Sequence, residues 1–176
     1  MYETISIYVK LCSMCATTKP NNRKLGLYTP LSIPFHPWEN ISMDFVRGLP
    51  MSRKGHDYLY VVVDHFSKIC MLIPCKKQVK AEQTTNMFFQ NVWVHFGIST
   101  SIIFYWDSRF VRKFWSCLWE LMDTMKKSTT FHPKNDGQIE VVNKTIVHLL
   151  CGLYGKNPKL CDEHFHYIQH VYNCAK

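Results

Sequence analysis

Phe131-His132-Pro133-Lys134-Asn135-Asp136-Gly137-Gln138-Ile139-Glu140-Val141-Val142-Asn143-Lys144 is the stretch that decides the fold. Asp136-Gly137 reads as a turn. After it, Ile139, Val142, Ile146, Leu149, Leu150 and Leu153 recur at helical spacing. Glu140 therefore stands just inside a helix. Far upstream, Ile41, Met43 and Phe45 alternate with Ser42, Asp44 and Val46 as a strand does, so Asp44 points away from one apolar face. Two acids held on rigid elements can share metal ions and act on phosphodiesters. Such a site needs a third acid, and the place to look for it reads Phe104-Tyr105-Trp106-Asp107-Ser108-Arg109-Phe110.

The rest of the chain supplies a scaffold for these acids. Four prolines, Pro20, Pro30, Pro34 and Pro37, mark an irregular linker before the first strand. A turn from Gly48 to Gly55 leads into Tyr58 to Val63, a nearly continuous β-branched and aromatic run of the kind a buried central strand carries. Ile69 to Ile73 is expected as a third strand, stopped by Pro74. Phe88, Val92 and Phe96 then recur at i, i+4 and i+8, with Gly97 as the cap. Ser101 to Phe104 is a short strand. Phe110, Phe114, Leu118 and Met122 form a second helical stripe. Lys127 to Thr130 is expected as a short strand or link, and a last helix over Pro158 to Asn173. The order βββ, α, β, α, (β), α, α suits an α/β fold, a mixed sheet with helices on its faces.

Composition narrows the function classes. The chain has 176 residues, of which 47% are hydrophobic and 14% aromatic, enough for one packed core domain and too apolar for a disordered chain. Its net charge is +8 and its pI about 9.1, which favours an anionic partner, nucleic acid before membrane. No apolar run approaches a membrane span, and no secretory signal is visible at Met1-Tyr2-Glu3-Thr4. Eight cysteines without such a signal read as reduced thiols.

Five segments jointly carry a resemblance: Tyr8 to Cys15, Pro37 to Phe45, Val61 to Lys68, Asp107 to Phe110, and Phe131 to Lys144. In that order they are similar to the integrase of gypsy-type LTR retrotransposons, a relative of retroviral integrases. The resemblance covers nearly the whole chain. It implies an RNase H-like fold with a mixed five-stranded sheet flanked by helices. It also implies an Asp-Asp-Glu triad holding two Mg (or Mn) ions, DNA as partner, a nuclear location, and a homodimer. The expected organisation is a remnant of the zinc-binding His-His-Cys-Cys module over residues 1–20, a linker over 21–37, and the catalytic-core-like domain over 38–176. The C-terminal DNA-binding domain of a full integrase is not expected after Asn173.

Carried over residue by residue, Asp44 matches the first Asp and Glu140 the Glu, each a Mg ligand. The second Asp belongs in a run resembling Ser-Asp-Arg-Asp-Ser-Arg-Phe. Anchoring on Asp107-Ser108-Arg109-Phe110 puts Tyr105 at that position, with 34 residues between Tyr105 and Glu140, one fewer than usual in the family. Two metal ions roughly 4 Å apart repel, and bridging carboxylates offset that repulsion. A neutral phenol supplies neither the charge nor a compact bidentate ligand. Asp107 is the candidate substitute, yet two residues along a strand is a displacement of roughly 6–7 Å. Ser to Phe, Asp to Tyr and Arg to Trp are each one base change apart, so Phe104-Tyr105-Trp106 fits decay. Three readings follow: an impaired integrase core, an active strand transferase or nuclease using Asp44, Glu140 and Asp107, or a co-opted DNA- or protein-binding module without chemistry.

Two further motifs belong to the resemblance. Cys12 and Cys15 supply half of a zinc site, since structural zinc takes four ligands. The family completes the site with an upstream His pair, whereas His36 is the first histidine here. Lys144 lies one turn after Glu140 and matches a DNA-contacting position of the family; an i, i+4 ion pair with Glu140 is the simpler role. Asp64 and His65 end the buried strand, and Asp64 reads as a structural or supporting acid.

Overall fold

The computed structural model describes residues 33–97, 99–104, 106–122, 130–132, 137–154, 161 and 164–175. All lie in one compact unit, Ile33–Lys176. Residues 1–20, Cys12 and Cys15 among them, most of the linker over 21–37, and Tyr105 lie outside the described residues.

The sheet is built from β1 (Asn40–Val46), β2 (Tyr58–Asp64), β3 (Cys70–Cys75) and β4 (Ser101–Phe104), with the short β5 (Thr130–His132) beyond β4, in the order β3-β2-β1-β4-β5. β2 is antiparallel to both β1 and β3, whereas β4 is parallel to β1 and β5 parallel to β4. The mixed α/β architecture read from the element order is therefore present. The run Tyr58 to Val63 is central, and Leu59 through Val62 are fully buried.

Helices cover both faces. On one side lie α1 (Ala81–Phe88), its continuation through a π-helical segment Phe89–Trp93, and α2 (Ser108–Met122). They bury Ile41, Met43, Tyr60, Val62, Ile102 and Phe104 against Phe88, Phe114 and Leu118. On the other side lie α3 (Gly137–Tyr154) and α4 (Phe165–Cys174). They bury Val46, Leu59, Val61 and Val63 against Ile139, Val142, Ile146, Phe165 and Ile168. Full burial of each such aliphatic side chain is worth about 1.5–3 kcal/mol. The alternation of β1 thus turns Ser42, Asp44 and Val46 toward α3, which puts Asp44 beneath the helix that carries Glu140.

Three local expectations change. Strand β3 does not stop at Pro74 but runs to Cys75, with Pro74 opposite Leu59. β3 is an edge strand, so the missing proline N–H costs no ladder bond. The stripe Phe88, Val92, Phe96 breaks at its end: Phe88 and Val92 are fully buried, but Phe96 is 41% exposed. The π segment inserts one residue and rotates the helix after Val92. Phe96 instead stacks on Trp38, ring centroids 3.8 Å apart. Gly97, at φ +78, ends the helix in a conformation that favours glycine. The last helix begins at Phe165 rather than Pro158, after a turn in which the His164 N–H donates to the Cys161 carbonyl.

Candidate active site at the β1–α3 junction

Asp44 sits near the end of β1, half-buried. Asn143 of α3 reaches it, and the Asn143 amide Nδ2 donates to Asp44 Oδ2 at 2.9 Å. Burial pushes the Asp44 carboxyl above its ordinary range; the Phe45 backbone N–H, the Arg47 charge and the Asn143 amide oppose that rise. The net direction is upward, so loss of water outweighs three favourable partners.

Glu140 lies one turn before Asn143 on the same helix, roughly 4.5 Å along its axis. It is exposed and pairs with Lys144, Nζ to Oε1 at 2.7 Å, with side-chain exposures of 72% for Lys144 and 68% for Glu140. The Lys144 hydrogen bond and charge hold the Glu140 carboxyl below its usual range. The i, i+4 ion pair read from the sequence is thus present. An exposed pair of this kind adds little to stability. A groove of about 500 Å³ runs beside it, lined by Val46, Arg47, Glu140, Asn143, Lys144, Val147, His148 and Cys151. It gathers Arg47, Lys144 and Glu140 around Asn143, the residue that bonds Asp44.

The other end of the site is built differently. Strand β4 ends at Phe104, which is level with Met43. Trp106 follows and packs on the face opposite Asp44. Its ring stacks on Phe45 at 4.8 Å and meets Phe104 at 5.1 Å and Phe110 at 5.0 Å. Its indole Nε1 is buried without a partner among the described residues, a cost that this packing must outweigh. Asp107 caps α2. Its carboxylate accepts the Arg109 backbone N–H at 2.7 Å and lies 3.4 Å from the Arg109 guanidinium nitrogen Nε. Those donors, the Arg109 backbone N–H first, hold its carboxyl below the ordinary range, and the side chain is exposed.

Polar groups behind Asp44 are engaged in structure. The buried carboxylate of Asp64 accepts the backbone N–H of Trp38 at 2.9 Å and of Ser67 at 2.8 Å, and the Ser67 hydroxyl at 2.6 Å. It fixes the turn after β2 and the Trp38 backbone, which holds a left-handed φ of 65°. Ser42 Oγ and His65 Nε2 lie 2.6 Å apart in the same buried layer. Lys68 Nζ donates to Gln138 at 2.9 Å and ties this turn to the start of α3.

Among the described residues no three His, Cys, Asp or Glu side chains are grouped closely enough to hold a metal ion. Asp44 and Glu140 are two carboxylates, one bonded to an amide and the other to a lysine. Among the described residues these two carboxylates are fewer than the three acids that the resemblance implies for a pair of divalent cations. Of the lining residues, Arg47, Asn143, Val147, His148 and Cys151 were not singled out from sequence. Asn143 was within reach of such reasoning, because it stands three positions after Glu140 and so shares its helix face. No helix among the described residues is long and apolar enough to cross a membrane.

Comparisons with known proteins agree with this architecture. The chain is 38% identical over 175 residues to the Transposon Tf2-3 and Tf2-4 polyproteins of Schizosaccharomyces pombe, covering 98% of this chain and 13% of each polyprotein. It thus spans about an eighth of the curated relatives it matches. Among solved structures, the magnesium-bound HTLV-2 integrase catalytic core domain in its trimeric form superposes with a TM-score of 0.56 at 20% identity, over 77% of this chain and 84% of that one. The simian T-cell lymphotropic virus intasome, solved with PP2A regulatory subunit B56 gamma, gives 0.58 at 20% identity over 96% of this chain and 59% of that one. No family model matches the chain.

Proposed function

We propose that this chain, an integrase-core-like domain of retrotransposon origin, binds DNA and carries out strand transfer poorly or not at all. The reading is carried by the sequence, in which Tyr105 follows Phe104 at the position where the resemblance implies the second acid. An active reading needs Asp107 to serve instead. That carboxylate already caps α2 and holds the Arg109 backbone N–H, so recruiting it would cost the cap, worth about 1 kcal/mol.

Magnesium, where an active relative binds it, would supply charge to activate water and stabilise a leaving oxygen. Here Asp44 and Glu140 are the residues that would hold it, and without a third acid they leave the second ion unsupported. No catalytic step is assigned to them.

DNA binding draws support from the charge of +8 and from Arg47 and Lys144, both exposed beside the groove. Lys144 would meet phosphate oxygens while Glu140 sets its position. A nuclear location and self-association follow from the same reading, since DNA is the partner and the HTLV-2 core is described in dimeric and trimeric forms. The test is a nicking and strand-transfer assay on a model DNA end with Mg²⁺ or Mn²⁺. Wild type is expected to match Glu140→Ala at background. Activity that Glu140→Ala abolishes would overturn the reading. Binding to the same DNA should weaken steeply with salt, and no binding at low salt would reject the DNA assignment.

A further inference from the structure

We propose that Gln169 and Asn173 of α4 stand in for a sixth strand along β3 and so keep that edge of the sheet from pairing with a second copy of this chain. The proposal rests on the fold and not on the DNA reading.

β3 is the edge strand beyond β2. Its backbone groups alternate between two sides. Ile69, just before β3, and Cys75 turn toward β2, where their carbonyls accept the N–H groups of Asp64 at 3.0 Å and Asp57 at 3.3 Å. Cys70, Leu72 and Pro74 therefore turn their backbone groups outward. An open row of such groups is a template for another chain. Here the row is filled. The Cys70 N–H donates to Asn173 Oδ1 at 2.9 Å, and Asn173 Nδ2 donates back to the Cys70 carbonyl at 3.0 Å. That is the two-way exchange of a hydrogen-bonded residue pair in an antiparallel ladder. The Leu72 N–H donates to Gln169 Oε1 at 2.8 Å. Pro74 has no N–H to offer. Each outward donor position of β3 is thus bound or missing.

The match has a geometric basis. Two residues along a strand cover roughly 6–7 Å. Four residues along a helix cover about 6 Å. Amides at positions 169 and 173 therefore meet backbone groups at positions 72 and 70 in step, with the helix running against the strand. Phe165, Ile168 and Tyr172 of α4 are buried in one layer with Cys70 and Leu72, and that packing holds the two amides on the edge.

Amide hydrogen exchange resolved at Cys70 and Leu72, together with sedimentation over a range of concentrations, tests this. In wild type both amides are expected to be protected. Gln169→Ala should speed exchange at Leu72 by about tenfold, the scale of one lost hydrogen bond. Gln169→Glu keeps an acceptor for that N–H and should keep its protection. The double variant Gln169→Ala/Asn173→Ala should gain mass with concentration beyond wild type, with Cys70 and Leu72 protected again in the assembled species. Equal exchange at Leu72 in wild type, Gln169→Ala and Gln169→Glu would overturn the cap. A double variant that folds and keeps the wild-type mass throughout would overturn the block on pairing. If the double variant does not fold, Gln169→Ala and Asn173→Ala singly decide by the same mass readout. Self-association through another face adds equally to wild type and variants, and loss of DNA binding leaves these outcomes unchanged.

Discussion

At the β1–α3 junction polar groups meet polar groups: Asp44 with Asn143, Glu140 with Lys144. At the junction of β4 with α2, on the other side of the same strand pair, Trp106 fills space between Phe45, Phe104 and Phe110. Both junctions flank one candidate site, yet the forces that hold them differ. The first is held by a charge-assisted hydrogen bond and an exposed ion pair, the second by aromatic area and dispersion. The contrast shows that two junctions of one sheet can be held by different forces within the same fold. A large side chain placed where β4 leaves the sheet still finds an apolar layer to join, whereas an acid taken from β1 would leave Asn143 without its acceptor.

The largest effect on stability is expected at the aromatic junction. Trp106→Ala should cost about 2–4 kcal/mol, somewhat below a fully buried aromatic truncation because the side chain is half-buried, as read by denaturant midpoint at constant m. A loss no greater than that of an exposed residue would remove the contrast between the two junctions.

A smaller effect sharpens the polar junction. Burial pushes the Asp44 carboxyl up, so the folded state binds its proton more tightly than the unfolded chain does. Stability therefore falls as pH rises through the interval between the ordinary and the raised value. Asp44→Asn should flatten that part of a Tm-against-pH profile. A profile that Asp44→Asn leaves unchanged would mean that Asp44 is solvated like a surface acid.

The smallest effect on the fold is expected at Lys144, which is exposed and tied only to Glu140. Lys144→Ala should leave Tm where it was while lowering the slope of log binding constant against log salt for DNA by about 1, one phosphate contact. An unchanged slope would assign Lys144 to the ion pair alone.

Much of the frame was legible in the sequence, and the limits have physical causes. The run Tyr58 to Val63 read as a strand buried on both faces, and the alternation around Asp44 set which way it points. The integrase-like fold and retrotransposon kinship rested on several motifs in order, and the comparisons bear them out. Pro74 misled because its effect depends on whether a strand is at an edge, which is a property of the sheet. Phe96 misled because a π segment shifts helical phase without a sequence mark. The partner of Trp106 was hidden because Phe45 is distant in sequence. Asn143 stands beside a carboxylate and a lysine in sequence, and its bond to Asp44 depends on a strand 99 residues away. Asp107 could have been read as a cap, since Asp before Ser-Arg-Phe at a helix start has the right chemistry.

The proposed impairment rests on Tyr105 standing where the resemblance implies the second acid. Measuring Mg²⁺- or Mn²⁺-dependent strand transfer of Tyr105→Asp beside wild type and Glu140→Ala tests it most directly. Background activity is expected in wild type and in Glu140→Ala, with a gain in Tyr105→Asp. Wild-type strand transfer that Glu140→Ala removes would contradict it.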